Sequence, residues 1–314
     1  PIWRYAALLP VEVSERAGLP RLAAGGTPLY RNTRLGDVLG LAEVMVKDDG
    51  LNPTGSLKDR ASAVAVAAAL QSGASTISCA STGNAASSCA GCAASSGLRS
   101  VIFVPRRAPQ AKLVQLLAFG AVVVRVQADY ADAFTLSAKA IKAHGWYNRN
   151  AAINPVMIEG KKTVSFEIAE ALGWLVPDWV AVSVGDGCTV AGVAKGFWEL
   201  ERIGVIRRRP KILGVQAVGA NAISRAFRED ADHGQVRPGG TDTFADSIAV
   251  AVPRNPHKAV RGVRRSGGTM IDVSDDQIGR AMLLMGRSCG VFAEPAAAAS
   301  LAGLAAAVEA GIVA

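Results

Sequence analysis

From Ser75 onward, short apolar runs alternate with small-residue stretches of helical period, and this alternation confines the chain to one fold class. Ser75 to Ala80, Val101 to Val104 and Ala121 to Val126 are predicted strands. Asn84 to Ser96, Pro109 to Phe119 (closed by Gly120) and Asp129 to His144 are the helices predicted to follow them. Trp179 to Val184, Lys211 to Val218 and Thr269 to Val273 read as further strands. Helices are expected from Val190 to Leu200, from Pro256 to Ser266 and from Pro295 onward. Ser274 with Gln277 makes a capping box for one more helix. Such a succession gives parallel sheets with helices on their faces, so the expected class is α/β with two sheets. The polar stretch from Arg228 to Thr243 is expected as a surface loop.

Composition narrows the function. With 314 residues, 50% of them hydrophobic and 19% charged, the chain is not disordered. Aromatics are 5%, so the apolar mass is largely Ala and Val and suits close helix–sheet packing. The net charge of +8 is compatible with nucleic acid, a membrane surface or an anionic metabolite. The runs Arg106-Arg107, Arg207-Arg208-Arg209 and Arg264-Arg265 carry no flanking aromatics, so they read as solvated faces and no nucleic-acid partner is expected. No long unbroken apolar run and no signal-peptide core are present, so no membrane partner is expected and the reading is a cytoplasmic protein. Cys89 and Cys92 form a C-x-x-C inside an Ala/Ser-rich stretch. With 5 Cys and 3 His in the chain, they read as small buried thiols, and no metal is expected.

Three segments carry chemistry. Leu51 to Arg60 leads turn formers into Lys58, which starts an Ala/Val-rich helix running to Leu70. Such a lysine is either a surface cation or, when desolvated, a nucleophile toward an aldehyde. Ser81-Thr82-Gly83-Asn84 follows a strand and opens a helix, which suits a carboxylate. Gly185-Asp186-Gly187-Cys188-Thr189 does the same and suits a phosphate, although it is neither a dinucleotide nor a Walker loop. A helix-mouth lysine and two anion-binding turns together suggest a phosphorylated aldehyde cofactor.

On these residues the chain resembles the threonine synthases, within the fold type II (tryptophan synthase β-like) enzymes that use pyridoxal phosphate. Trp3-Arg4-Tyr5 with Leu8-Leu9-Pro10, Gly26-Thr27-Pro28-Leu29, Asn52 to Arg60 (N-P-T-G-S-F-K-D-R with Leu57 for Phe), Ser81 to Asn84, and Gly290-Val291-Phe292 with Glu294-Pro295-Ala296 carry the resemblance. It implies a lyase acting on a small amino acid, with pyridoxal 5'-phosphate as cofactor, and a homodimer. It implies a large cofactor-binding domain from 1–51 and 146–314, and a small mobile domain from 52–145. Lys58 is implied as the Schiff-base lysine and proton carrier. Asn84 is implied as the partner of the cofactor's O3′, and Gly185, Asp186, Gly187, Cys188 and Thr189 as the phosphate loop. Ser81, Thr82 and Gly83 are implied as substrate-carboxylate residues.

Three departures bear on the substrate. The loop reads G-D-G-C-T rather than the usual G-N-A-G-N, and Asp186 is expected to bond backbone or cap the turn. Where the family reads N-S-x-N-P-x-R-x-E-G-Q-K-T, this chain has Ala151-Ala152 for the polar pair, Met157 for Arg and Lys161 for Gln. That family cluster holds the phosphate of O-phosphohomoserine, so Lys161 is the candidate to supply charge, with Arg149 or Asn150 as alternatives in a shifted register. The family also carries a Ser or Thr facing the pyridine nitrogen, and no counterpart is found up to Ala314. The reading is therefore threonine synthase: γ-elimination of phosphate, then water addition at Cβ. Its rival is a threonine-synthase-like enzyme for an unphosphorylated amino acid (Ser/Thr ammonia-lyase or β-replacement), to which Thr243 to Asp246 also points by resembling a T-x-A-D segment of dehydratases.

Overall fold

The computed structural model describes residues 1–314 except 15–18, 107, 109, 129, 152 and 230–235. Its strands are β1 (Leu29–Arg31), β2 (Met45–Lys47), β3 (Thr76–Ala80), β4 (Arg99–Pro105), β5 (Val122–Val126), β6 (Tyr147–Asn148), β7 (Trp179–Ser183), β8 (Lys211–Ala217) and β9 (Thr269–Val273). Its helices are α1 (Thr33–Leu39), α2 (Lys58–Gln71), α3 (Asn84–Ser95), α4 (Gln110–Ala118), α5 (Tyr130–His144), α6 (Val156–Lys161), α7 (Thr163–Ala171), α8 (Cys188–Arg202), α9 (Ala222–Arg228), α10 (Pro256–Arg265), α11 (Asp275–Cys289) and α12 (Pro295–Glu309). The expected starts of α4 and α5, Pro109 and Asp129, lie outside the described residues, as does part of the expected 228–243 loop.

The chain forms two compact units, Pro1–Thr27 with Asp49–Thr163, and Pro28–Asp48 with Val164–Ala314. Each holds a parallel sheet, so the class read from the alternation is the one observed. The first unit's sheet has the order β5-β4-β3-β6, with Cys79 opposite Ile102 in register. The second has the order β7-β8-β9. It also holds an antiparallel pair, β1 with β2, that the sequence reading did not include.

In the first unit, β3 is buried along its whole length. Helix α2 is buried nearly all round, as expected for a helix of Ala and Val with no polar face. Small side chains let its neighbours approach closely. A Cβ at Gly160 of α6 would fall 2.1 Å from the Arg60 carbonyl oxygen, so this crossing accepts only glycine.

The start of α2 is anchored by Arg60, whose side chain is 0% exposed. Its Nε and Nη2 donate to the two Asp49 carboxylate oxygens, both at 2.7 Å. Nη2 also donates to Thr27 Oγ1 at 3.0 Å, and Nη1 to Thr163 Oγ1 at 3.2 Å. Thr27 in turn donates to Asp49 at 2.6 Å. These bonds explain why the first unit gathers residues 1–27, 49–51 and 146–163 around the segment 52–145. The resemblance instead grouped 1–51 with 146–314.

In the second unit, α11 and α12 pack together beside the sheet, over a core that includes Leu213, Val215, Val273, Ile278 and Leu301. The capping box at the head of α11 is present. Ser274 Oγ accepts from Gln277 N, and Gln277 Oε1 accepts from Ser274 N. Lys47 and Glu167 form a buried ion pair of 2.7 Å within this unit.

Removing one partner of a buried ion pair leaves the other charge uncompensated, at a cost of about 3–5 kcal/mol. Asp49→Ala should therefore lower stability to denaturant by about that amount, and a loss under about 1 kcal/mol would show that Arg60 does not anchor the fold.

Candidate active site

Each unit carries one of the two strand-to-helix turns that the sequence marks as anion-binding. In the first, β3 ends at Ala80 and α3 begins at Asn84, so Ser81, Thr82 and Gly83 form the turn between them. Ser81 N donates to Phe103 O, which ties the turn to β4. Gly83 is the N-cap of α3 and has no side-chain cap. Asn84 occupies the first helical position and is half-buried. The amides at this helix mouth and the dipole behind them favour an anion.

Lys58 is the first residue of α2, and its amide donates to Ser56 Oγ at 3.3 Å. Its two successors are buried in fixed bonds. Asp59 accepts from Thr54 N at 2.7 Å and from Thr54 Oγ1 at 2.5 Å, and Arg60 forms the pair with Asp49. Lys58 itself stays half-buried, so of three consecutive charged residues it is the one left with partial solvent access.

In the second unit, Gly185, Asp186 and Gly187 link β7 to α8, and Cys188 and Thr189 already belong to the helix, which starts two residues before the expected Val190. The Asp186 carboxylate accepts from Arg254 N at 2.6 Å, and its carbonyl accepts from Asn255 N at 3.0 Å. The acid thus bonds backbone, as expected for this position. Gly187 has φ +88°, and a Cβ there would fall 2.6 Å from the Asn255 carbonyl oxygen, so both conformation and space require glycine. It caps α8 without a side chain, leaving the first-turn amides to a ligand.

The segment that departs from the family pattern runs through α6. Met157 is buried among the largest core side chains. Arg149 donates from Nε and Nη2 to Ser62 Oγ, at 3.1 and 3.0 Å, inside the first unit. Lys162 pairs with Glu159 at 2.6 Å. Lys161 is 4% exposed and has no ion pair or hydrogen bond among the described residues. Ala152 lies outside them.

The profile of the family described as pyridoxal-phosphate dependent enzyme matches residues 20–314. The chain belongs to the pyridoxal-phosphate-dependent enzyme family. Pyridoxal phosphate is thus its cofactor, and its architecture is fold type II. The chain is 40% identical to the threonine synthase of Methanocaldococcus jannaschii over 314 residues, covering 99% of this chain and 76% of that one. It is 36% identical to the threonine synthase of Mycobacterium tuberculosis over 294 residues, covering 93% and 79%. Among solved structures, maize serine racemase superposes with a TM-score of 0.78 at 23% identity, covering 91% of this chain and 82% of that one. A fungal L-serine ammonia-lyase from Rhizomucor miehei gives 0.79 at 20% identity, covering 93% and 89%. At these identities the two structures establish the fold alone.

The residues present fit the family's cofactor. An uncapped glycine-initiated helix suits its phosphate, the one acidic side chain of that loop is bonded to backbone, and a half-buried lysine opens a second helix.

The sequence reading did not single out the Arg60–Asp49 clamp or Lys112, whose Nζ lies near Gly83. Lys112 lies on α4, three residues before Gln115, whose Oε1 accepts from Ser87 Oγ of α3 at 2.8 Å. The spacing of Lys112 and Gln115 on one helix face was the available signal.

Cys79, Cys89 and Cys92 are buried in the first unit. A hydrogen bond from the Cys89 thiol to the Cys79 sulfur holds Cys79 below its ordinary value and pushes Cys89 up. Burial, and then the Asp59 carboxylate, pushes Cys92 from 9.0 up to about 12. A group with a raised folded value stabilises the fold below its unfolded value. That contribution is lost as pH rises from about 9 toward 12. Unfolding free energy should therefore fall across that window, and Cys92→Ala should flatten the fall. An unchanged slope would contradict the assignment.

Proposed function

We propose that the protein is a threonine synthase-like lyase that converts O-phospho-L-homoserine and water to L-threonine and phosphate. The C–O bond to phosphate breaks in a γ-elimination, and water then adds at Cβ. The reading is supported by relatives named threonine synthase over nearly the whole chain. The observation that carries the phosphorylated substrate is Lys161, a lysine 4% exposed with no ion pair or hydrogen bond among the described residues. A buried charge without a counter-charge is costly, and an anionic ligand offsets that cost.

When bound, the cofactor supplies an electron sink for negative charge formed on the substrate. Lys58 would hold the cofactor at its aldehyde carbon and would carry protons at the substrate Cα, and Asn84 would donate to the cofactor's O3′. Gly185, Asp186, Gly187, Cys188 and Thr189 form the loop for its phosphate, with the amides of the helix mouth as donors. Ser81, Thr82 and Gly83 take the substrate carboxylate at the mouth of α3, and Lys161 takes the leaving phosphate. The protein works as a cytoplasmic homodimer on a small amino-acid substrate.

A second reading, an ammonia-lyase or β-replacement enzyme on an unphosphorylated amino acid, is favoured by Met157. Its burial leaves no guanidinium fork at the position where the family's phosphate site has one.

The loaded enzyme should release phosphate and form threonine in equal amounts from O-phospho-L-homoserine. Lys161→Met should raise KM for this substrate by about tenfold or more, the worth of a charge-assisted hydrogen bond. Ammonia from Ser or Thr with no phosphate release would establish the second reading.

A further inference from the structure

Asn150 is 3% exposed, and its Nδ2 has no hydrogen-bond partner among the described residues. Its Oδ1 accepts from Ala80 N at 3.0 Å. That bond fixes the orientation of the carboxamide, because a flipped amide would set donor against donor. Two N–H groups are therefore held, buried and unanswered, beside the last residue of β3, where the Ser81–Gly83 turn begins. Leaving such a donor unmatched is costly, so the arrangement calls for an acceptor supplied from outside the protein.

At the other end of the turn stands a cation. A Cβ added at Gly83 would lie 3.8 Å from the Lys112 Nζ, in ordinary van der Waals contact. The space above Gly83 is thus bounded on one side by the helix mouth and on the other by an ammonium. Gln115 bonded to Ser87 holds α4 on α3 one helical turn further along, which keeps Lys112 at this place.

We infer that Asn150 and Lys112 complete a carboxylate cradle around the Ser81–Gly83 turn. Asn150 Nδ2 donates to one oxygen of the substrate α-carboxylate and Lys112 Nζ to the other. This rests on the proposal that the turn takes the substrate carboxylate. One formal positive charge with neutral donors matches a monoanion. The dianionic phosphate, if the substrate carries one, falls to Lys161. The inference separates two groups of residues: a cradle used for every amino acid, and a lysine used for phosphorylated ones alone.

L-Norvaline, which has a carboxylate but no leaving group, is the probe. Its affinity for the cofactor-loaded protein is read from the cofactor's visible spectrum. Asn150→Asp keeps the acceptor for Ala80 N and replaces the donor by a negative oxygen. Lys112→Met removes the cation from a different helix, so a failure of one variant to fold leaves the other informative. Each should weaken L-norvaline about tenfold at unchanged cofactor content, the worth of one charge-assisted hydrogen bond. Parent-like affinity in the two cradle variants, or no binding of L-norvaline by the unchanged protein, would overturn the inference. Because the probe carries no phosphate, the result stands apart from whether O-phospho-L-homoserine is the substrate.

Discussion

The bidentate pair between Arg60 and Asp49 is the interaction on which the first unit depends. The guanidinium is fully enclosed, and its remaining donors go to Thr27 and Thr163. One side chain therefore joins segments that lie 33 and 103 residues away. Its planar fork suits this task in a way an ammonium would not. The consequence for chemistry is local. Arg60 and Asp59 fix the first turn of α2 from within, so the backbone that carries Lys58 has little freedom. The lysine opens the helix with its successors already committed to protein partners. In the proposed function, a lysine held in this way needs no reorganisation before it meets an aldehyde.

Much of the fold was legible because its signals are local. Apolar runs and small-residue helices marked the parallel strands, the capping box marked α11, and both turns were placed between the right elements. Asp186 was also legible, since a short acid in a tight turn bonds backbone by default. The grouping of residues 1–27 and 146–163 with the first unit was not, because it follows from the Arg60 clamp, and nothing near Arg60 in sequence names its partners. The pair β1 and β2 was missed for a related reason. Each strand has three residues, too short to show an alternation. Asn150 was noted only as an alternative to Lys161 in a shifted register. That one end of the amide is pinned to Ala80 and the other left unanswered is a fact of packing alone.

The distribution of charge explains how a threonine-synthase-like chain can differ from its family at the substrate segment. Met157 is absorbed into the core, and Arg149 is turned onto Ser62. Lys162 is neutralised by Glu159, which leaves Lys161 as the ammonium of α6 without a protein partner among the described residues. Under the proposed function, a point charge at Lys161 stands in for a guanidinium fork; it attracts an anion but constrains its orientation less.

In the proposed function, Lys58, among the lysines at these helix ends, carries the cofactor. Reduction of the loaded protein with borohydride fixes the cofactor to the lysine that holds it, and peptide mass mapping identifies that residue. The expected result is the pyridoxyl label on Lys58 alone, at one per chain. A label on Lys161, Lys112 or another lysine, or an undiminished label in Lys58→Ala, would contradict it.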